Sequence, residues 1–229
     1  MKTQAILAIA GFGTRLKASE PKALLAVCGM PIFMYSLKVF ENSGLIDSVV
    51  IVTQERFIDK FNEIIAEHGI KKVKKIVAGG DTRFESVNKG LHEIDDDTDI
   101  VLVHDGARPL ITADLVDRSI ELTKEYGAVI VAVEVKPTIK RAGDDLFVKE
   151  TLNRNELWEV QTPQVFRKKI LLKAHEQKRS GTPTDDASLV EQLGVKVKIL
   201  KGDYRNIKVT TKEDIIVAEA FLNQTGNES

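Results

Sequence analysis

The chain has 229 residues, 43% of them apolar, a length and composition typical of one α/β domain with a sizeable core. Its 33 basic and 34 acidic residues give a net charge of −1, which excludes the strong overall positive field of proteins that bind nucleic acid or anionic membranes. Any anionic ligand must therefore be held by a local cluster of cations. Cys28 is the only cysteine, which excludes an internal disulfide and predicts a reducing, cytoplasmic location.

Apolar segments typical of buried strands alternate with helical patterns. The strand patterns cover 4–10, 48–53, 99–104 and 128–135, with a short strand at 73–77, and the helical patterns cover 31–43, 55–67, 83–93 and 112–126. This alternation predicts an α/β fold of Rossmann-like type, a mostly parallel twisted sheet with helices on both faces. In such sheets ligands bind at the carboxyl ends of the strands.

A glycine loop follows the first predicted strand. The segment Gly11–Arg15 reads GFGTR, and Lys22 follows after Pro21. Backbone N–H groups at such a turn, together with two cations, predict a polyphosphate site, the alternative being a tight turn with solvated cations. Leu16 stands where a dinucleotide fingerprint needs its third glycine, and the P-loop pattern is absent, so neither of those classes is favoured.

Two further strand ends carry unusual residues. Gly79, Gly80 and Asp81 follow the short strand, where Asp81 is expected to cap the next helix. The element His104–Pro109, HDGARP, follows the strand at 99–104. The carboxylate of Asp105 can hold Mg²⁺ or a ribose hydroxyl, and Arg108 can pair with a phosphate. Alternatively, Asp105 caps the following turn and Arg108 is its ion-pair partner. We expect all three strand ends to meet at one site.

The alternation breaks at about 136–158, which reads as two short strands joined by a polar turn. An isolated hairpin is marginally stable, so we interpret this segment as an arm that packs against something beyond its own domain. After it the patterns predict a helix near 167–178, a turn at 181–186 before a helix at 185–193, a strand at 195–200 and a last helix at 212–222.

The chemistry-bearing residues are mainly cations. Metal spacings of histidine and cysteine are absent, as is a nucleophile elbow, and His104 is the only histidine within a motif. The cations are Arg15, Lys22, Arg83, Arg108, Lys140, Arg141, Arg154 and Lys208. Many cations without a general base indicate phosphoryl or nucleotidyl transfer to a nucleophile that is already anionic, such as a phosphate monoester, whose second pKa is about 6.

A series of motifs in order then identifies a resemblance. They are Gly11-Phe12-Gly13-x-Arg15, Pro21-Lys22, Gly80-Asp81-x-Arg83-x-x-Ser86, Val103-His104-Asp105-x-Ala107-Arg108-Pro109, Leu157-Trp158-x-x-Gln161-Thr162-Pro163-Gln164-x-Phe166, Thr184-Asp185-Asp186-Ala187-Ser188 and Asn206-Ile207-Lys208-Val209-Thr210. From residue 4 to about 222 the chain resembles the 2-C-methyl-D-erythritol 4-phosphate cytidylyltransferases. The resemblance implies a single nucleotidyltransferase domain over 1–229, CTP as co-substrate and Mg²⁺ as cofactor.

The resemblance also implies residue roles. It implies catalytic roles for Arg15, Lys22 and Lys208, and a metal-binding role for Asp105. The residues expected to bind the nucleotide are Ala10, Gly11, Phe12, Gly13, Gly80, Asp81, Ser86 and Asp105. The residues expected to bind the sugar phosphate are Arg108, Thr138, Arg154, Thr162 and Thr184. It further implies a homodimer clasped by the arm, with some acceptor contacts supplied by the neighbouring subunit. The chain departs from the family pattern at Ile9, Ala23 and Pro137.

Two other functions stay open at this point. A pentitol-phosphate cytidylyltransferase acting on ribitol 5-phosphate shares most of these motifs, although the segment 154–166 and the Thr184-Asp185-Asp186 turn favour methylerythritol phosphate. An inactive nucleotide-binding regulator is the alternative from another class. The joint presence of Arg15, Lys22, Asp105 and Lys208 argues against it.

Overall fold

The computed structural model describes residues 1–11, 20–177 and 183–225. Its strands are β1 (Thr3–Ala8), β2 (Ala26–Val27), β3 (Met30–Pro31), β4 (Ser48–Thr53), β5 (Val73–Ala78), β6 (Ile100–Asp105), β7 (Ala128–Glu134), β8 (Lys140–Ala142), β9 (Val148–Thr151), β10 (Trp158–Arg167) and β11 (Lys198–Lys201). Seven of them form one sheet in the order β11-β7-β10-β6-β1-β4-β5. Every neighbouring pair is parallel except the two that involve β10, which confirms a mostly parallel sheet.

Helices cover both faces of this sheet, as the alternating pattern predicts. They are α1 (Ile32–Asn42), α2 (Ile58–Glu67), α3 (Arg83–Leu91), α4 (Ala113–Tyr126), α5 (Lys168–Glu176), α6 (Asp186–Gln192) and α7 (Lys212–Thr225). Leu7 of β1 packs with α1, α2 and α4 on one face, whereas its neighbour Ile6 packs with α3, α5 and α6 on the other. Successive side chains of a strand point to opposite faces, so an uninterrupted apolar run suits a strand that is covered on both sides.

Strand β10 is the element that the sequence pattern does not predict. It lies between β6 and β7 in the middle of the sheet and runs antiparallel to both. Polar residues at Gln161, Thr162 and Gln164 interrupt its apolar pattern, and Pro163 argues against a central strand. The register of pairing with β7 shifts between Val160 and Gln164. Proline has no N–H to donate to a regular ladder, but it is tolerated here because the ladder is interrupted at this shift.

The predicted arm contains a small sheet of its own. Within the described part of the chain, β8 and β9 pair only with each other. Exposed apolar side chains lie at the turn between them, Leu146 and Phe147, and at the first residue of β9, Val148. The last part of the arm, between β9 and β10, forms a short 3-10 turn at Arg154–Glu156. A dimerisation role for this arm stays a prediction.

No helix within 1–11, 20–177 and 183–225 combines the length and the apolar character that a membrane crossing requires.

Candidate active site

A cavity lies at the carboxyl ends of β1, β5 and β6, where the three motif-bearing strand ends meet. In the parallel pairing of β1 with β6, Ala8 lies opposite Asp105, so the segments that follow both strands leave the sheet at the same edge. The residues that line the cavity are Ala8, Ile9, Ala10, Gly11, Lys22, Ala23, Gly80, Asp81, Thr82, Arg83, Ser86, Asp105, Ala107 and Lys208. The motifs on three separate strand ends are therefore distant along the chain but adjacent in space, as the sequence predicts.

Asp105, at the end of β6, is the central carboxylate. Its Oδ1 accepts a hydrogen bond from Arg83 Nε at 3.0 Å, and its Oδ2 accepts one from Lys208 Nζ at 2.5 Å. Burial alone would raise the pKa of Asp105, but Arg83 and Lys208 together hold it well below its usual range. Asp105 is therefore ionised at neutral pH, between two cations that come from α3 and from the segment before α7.

Arg83 lies between two buried carboxylates. Its Nη1 donates to Asp186 Oδ2 at 2.7 Å, while its Nε holds Asp105. Asp186 is 1% exposed and its other oxygen accepts from His175 Nε2 at 3.1 Å. Burial opposes ionisation of Asp186, yet Arg83 and His175 lower its pKa. The His175 ring in turn stacks on Phe84, with centroids 4.6 Å apart.

The resemblance did not single out this network, although a physical signal for it exists. Arg83 is the first residue of α3, where the helix dipole disfavours a cation unless carboxylates compensate it. Two such carboxylates occur, one at the end of β6 and one at the start of α6. An arginine at a helix N-terminus within a motif thus indicates buried acidic partners elsewhere in the chain.

The turn before α3 differs from expectation in one detail. Thr82, not Asp81, caps α3: its side chain accepts from the Glu85 backbone N–H in a capping box. The side chain of Asp81 is exposed at the cavity wall. A Cβ on Gly79 would lie 2.7 Å from Ser86 Oγ, so the turn needs glycine to pack against the helix.

Arg108 is buried beside the first cavity and does not line it. Its Nη1 donates to the backbone carbonyl of Asn206 at 2.7 Å, and Val209 N donates to the carbonyl of Ala107 at 2.8 Å. Burial lowers the pKa of Arg108. These bonds attach the segment that carries Lys208 to the end of β6. The Nε of Arg108 has no hydrogen-bond partner within the described part of the chain.

A second cavity adjoins the first and shares Arg83, Asp105 and Lys208 with it. Its other lining residues are Arg108, Val160, Gln161, Thr162, Gln164, Thr184, Asp185, Ser188 and Glu191. The expected sugar-phosphate residues therefore divide into two groups. Arg108, Thr162 and Thr184 line this cavity, whereas Thr138 and Arg154 belong to the arm and line neither cavity among the described residues.

The remaining expected residues lie at the glycine loop. Ala10 and Gly11 line the first cavity, and Lys22 opens the 3-10 turn Lys22–Leu24 beside it. The expectations for Phe12, Gly13 and Arg15 fall outside the described residues.

His104 lies directly below this surface and is fully buried. Its Nδ1 is 3.0 Å from Thr162 Oγ1, and its Nε2 is 3.2 Å from Ser36 Oγ on α1. Burial lowers the pKa of His104 to about 3, so the ring is neutral at physiological pH. His104 thus fills the space at the end of β6, and Ser36 is a partner that no motif indicated.

The donor set suits a hard divalent cation shared with a ligand. No group of three or more His, Cys, Asp or Glu side chains converges on a metal position in the described ranges. Mg²⁺ is commonly held by one or two carboxylates together with substrate phosphates, and a carboxylate has about four lone-pair sites. Arg83 and Lys208 each occupy one site on Asp105, so the carboxylate retains room for a cation.

A family model described as IspD: 2-C-methyl-D-erythritol 4-phosphate cytidylyltransferase matches residues 3–224. The protein of that name from Alkaliphilus metalliredigens is 46% identical over 230 residues, covering 97% of this chain and 94% of the relative. The one from Caldanaerobacter subterraneus is 41% identical and covers 98% of this chain and 100% of the relative.

Solved structures give the same result. The 4-diphosphocytidyl-2C-methyl-D-erythritol synthase of Anaerococcus prevotii superposes with a TM-score of 0.85 at 33% identity and covers 97% of this chain and 96% of its own. The 2-C-methyl-D-erythritol 4-phosphate cytidylyltransferase of Thermus thermophilus superposes with a TM-score of 0.77 at 28% identity, with coverage of 97% and 100%.

Proposed function

This chain belongs to the 2-C-methyl-D-erythritol 4-phosphate cytidylyltransferase family, and on that premise we propose how its residues carry out the reaction. The enzyme transfers the CMP moiety of CTP to 2-C-methyl-D-erythritol 4-phosphate, giving CDP-methylerythritol and pyrophosphate. The comparisons do not favour the ribitol 5-phosphate alternative, since the matching relatives carry the methylerythritol name.

The residue roles rest on one observation, which is that the ion-paired residues Arg83, Asp105 and Lys208 line both cavities. CTP would occupy the first cavity, with its base and ribose against Gly80, Asp81 and Ser86, and the acceptor would occupy the second, beside Thr162 and Thr184. Lys208 contributes to the walls of both. The reacting phosphates would therefore meet beside Lys208, where the two ligands adjoin.

The reaction needs little proton transfer at this junction. A phosphate monoester is largely dianionic at neutral pH, so its oxygen can attack the α-phosphate of CTP without a general base. Lys22, Lys208 and Arg15 would stabilise the charge that develops on the phosphates, and alignment of the two substrates would supply the rest of the acceleration. Pyrophosphate then leaves from the glycine-loop side.

Mg²⁺ would be held by Asp105 and by phosphate oxygens of CTP, and it would neutralise charge on the triphosphate. Arg83 keeps the carboxylate ionised and fixes its orientation through Oδ1, while Lys208 contacts Oδ2. This arrangement leaves the chain's own cations to orient the acceptor phosphate.

We further propose that the enzyme is a homodimer and that the arm, residues 136–158 within a single 1–229 domain, completes the partner's site. The exposed apolar side chains of Leu146, Phe147 and Val148 support a packing role. Within its own chain Arg154 Nη1 donates to the Lys136 carbonyl at 2.8 Å, away from both cavities, which supports action of Arg154 and Thr138 on the neighbouring subunit. The cytoplasm, where CTP is available and Cys28 stays reduced, is the proposed location.

The direct experiment is product analysis. Purified enzyme is incubated with CTP, methylerythritol phosphate and MgCl₂, and the nucleotide product is identified by mass spectrometry alongside a reaction with EDTA. Formation of CDP-methylerythritol only with the metal supports the proposal. Formation without any divalent metal would contradict the role of Asp105 as a metal ligand.

A further inference from the structure

A continuous chain of hydrogen bonds lies beneath the second cavity. The Asp105 backbone N–H donates to Thr162 Oγ1 at 3.1 Å, and Thr162 Oγ1 lies 3.0 Å from His104 Nδ1. On the other side of the ring, His104 Nε2 lies 3.2 Å from Ser36 Oγ, which donates to the Arg108 carbonyl at 2.9 Å. His104 and Ser36 are fully buried, so water does not replace the partners of the ring.

The two ends of this chain fix its direction. A backbone N–H can only donate and a backbone carbonyl can only accept. Since Ser36 gives its hydrogen to the Arg108 carbonyl, it must accept from His104 Nε2. The ring is fully buried and its two nitrogens contact the hydroxyl groups of Ser36 and Thr162, an environment that disfavours a charged imidazolium. The neutral histidine therefore carries its proton on Nε2, and its Nδ1 must accept from the Thr162 hydroxyl.

The direction has a consequence for Thr162. A hydroxyl has one hydrogen and two lone pairs. The hydrogen of Thr162 points to His104, and one lone pair accepts from Asp105 N. Thr162 lines the second cavity, and its hydroxyl oxygen has one lone pair left with which to accept a hydrogen bond from a ligand there. Phosphate dianions offer only acceptors, so Thr162 cannot bond favourably to the acceptor's phosphate.

We propose that His104 is a positioning residue that makes the Thr162 hydroxyl a fixed hydrogen-bond acceptor for a hydroxyl group of the polyol phosphate. The inference rests on the proposed function, because it takes the second cavity as the site of the sugar phosphate. His104 itself touches no substrate. Cations around the cavity, Arg108 and Lys208 among them, are left to bind the phosphate end.

The test compares two amides at position 104. The side-chain amide of Asn lies about as far from Cα as Nδ1 of histidine does, so its oxygen can accept from the Thr162 hydroxyl. The amide of Gln lies about as far from Cα as Nε2 does and can reach only Ser36. We expect His104→Gln to lower kcat/KM for methylerythritol phosphate about tenfold, as for one lost hydrogen bond, and His104→Asn to lower it less than about threefold. The KM for CTP should change less than about twofold in both.

A double-mutant cycle separates positioning from general destabilisation. If His104 acts through the Thr162 hydroxyl, Thr162→Val should lose as much activity as the Thr162→Val and His104→Gln double variant. Thr162→Ser, which keeps the hydroxyl, should retain most of the activity. Equal losses in the Asn and Gln variants, additive losses in the cycle, or a matching rise in the KM for CTP would overturn the proposal.

The protonated ring nitrogen of His104 can be identified without measuring turnover, which separates the role of His104 from the proposed enzymatic function. Long-range ¹H–¹⁵N correlation spectra of the wild-type protein report which ring nitrogen is protonated, and His104 is assigned by replacing the other three histidines one at a time. We expect a neutral ring with the proton on Nε2. A proton on Nδ1 would overturn the role of His104 even in an active enzyme, whereas absence of CDP-methylerythritol synthesis would contradict the proposed function alone.

Discussion

Lys208 Nζ lies 2.5 Å from Asp105 Oδ2, so the segment before the last helix supplies a cation to the carboxylate at the end of β6. The bond from Arg108 to the Asn206 carbonyl holds this segment in place. Because Lys208 also forms part of both cavities, it marks the position where nucleotide and acceptor would meet.

Lys22 should contribute mainly to the transition state. Lys22→Ala removes a cation from the nucleotide cavity, and we expect kcat to fall by a factor of about 10² to 10³, with a smaller loss in CTP binding. Lys38→Ala, an exposed lysine on α1, is the matched control and should be near wild type. Steady-state kinetics showing only a raised KM would assign Lys22 to uniform binding instead.

Asp186 should matter for folding as well as for the site. In Asp186→Asn a neutral amide replaces the buried carboxylate between Arg83 and His175, and we expect a loss of about 3 kcal/mol in the free energy of unfolding. Asp114→Asn breaks the exposed pair with Arg118 and should cost less than about 0.5 kcal/mol. Urea titrations of both variants provide the measurement. Equal losses of stability in the two variants would show that the buried ion pair contributes no more to the free energy of unfolding than the exposed one.

His104 should make stability fall as the pH is lowered. Its pKa is about 3 in the folded protein against 6.5 as the ordinary value, so between these values the unfolded chain binds a proton that the folded protein does not. The stability that this site contributes should decrease by about 1.4 kcal/mol for each pH unit below about 6. His104→Asn lacks this contribution. The stability difference between wild type and variant should therefore shrink from about pH 7 to about pH 4.5, and a constant difference would refute a buried neutral histidine.

The sequence predicted most of the fold, and the meeting of three strand ends at one cavity, for physical reasons. Doubly covered strands such as β4 are nearly uninterrupted apolar runs, and the glycine turns and cations that follow strands converge because parallel strands end at one edge. Strand β10 escaped prediction because Pro163 and its polar neighbours hide the apolar alternation. The Ser36 to His104 contact escaped because nothing in the local sequence indicates which buried hydroxyl meets a buried imidazole.

The shared site of the proposed dimer can be tested by complementation. Homodimers of Lys22→Ala and of Arg154→Ala should each be nearly inactive. Coexpressed at equal levels, about half of the dimers are mixed, and two-fold symmetry gives each mixed dimer one intact site and one doubly altered site. Activity should therefore recover to about a quarter of wild type. No recovery in verified mixed dimers would place Arg154 in its own chain's site.

Acceptor discrimination tests the central claim most directly. Pyrophosphate release is measured with CTP and Mg²⁺ against methylerythritol phosphate and ribitol 5-phosphate, side by side, and kcat/KM is compared. The residues Thr162 and Thr184 at the second cavity, with Arg154 from the arm, should favour methylerythritol phosphate at least about tenfold, equivalent to one well-placed polar contact. An equal or reversed preference would contradict the assignment of this chain's acceptor.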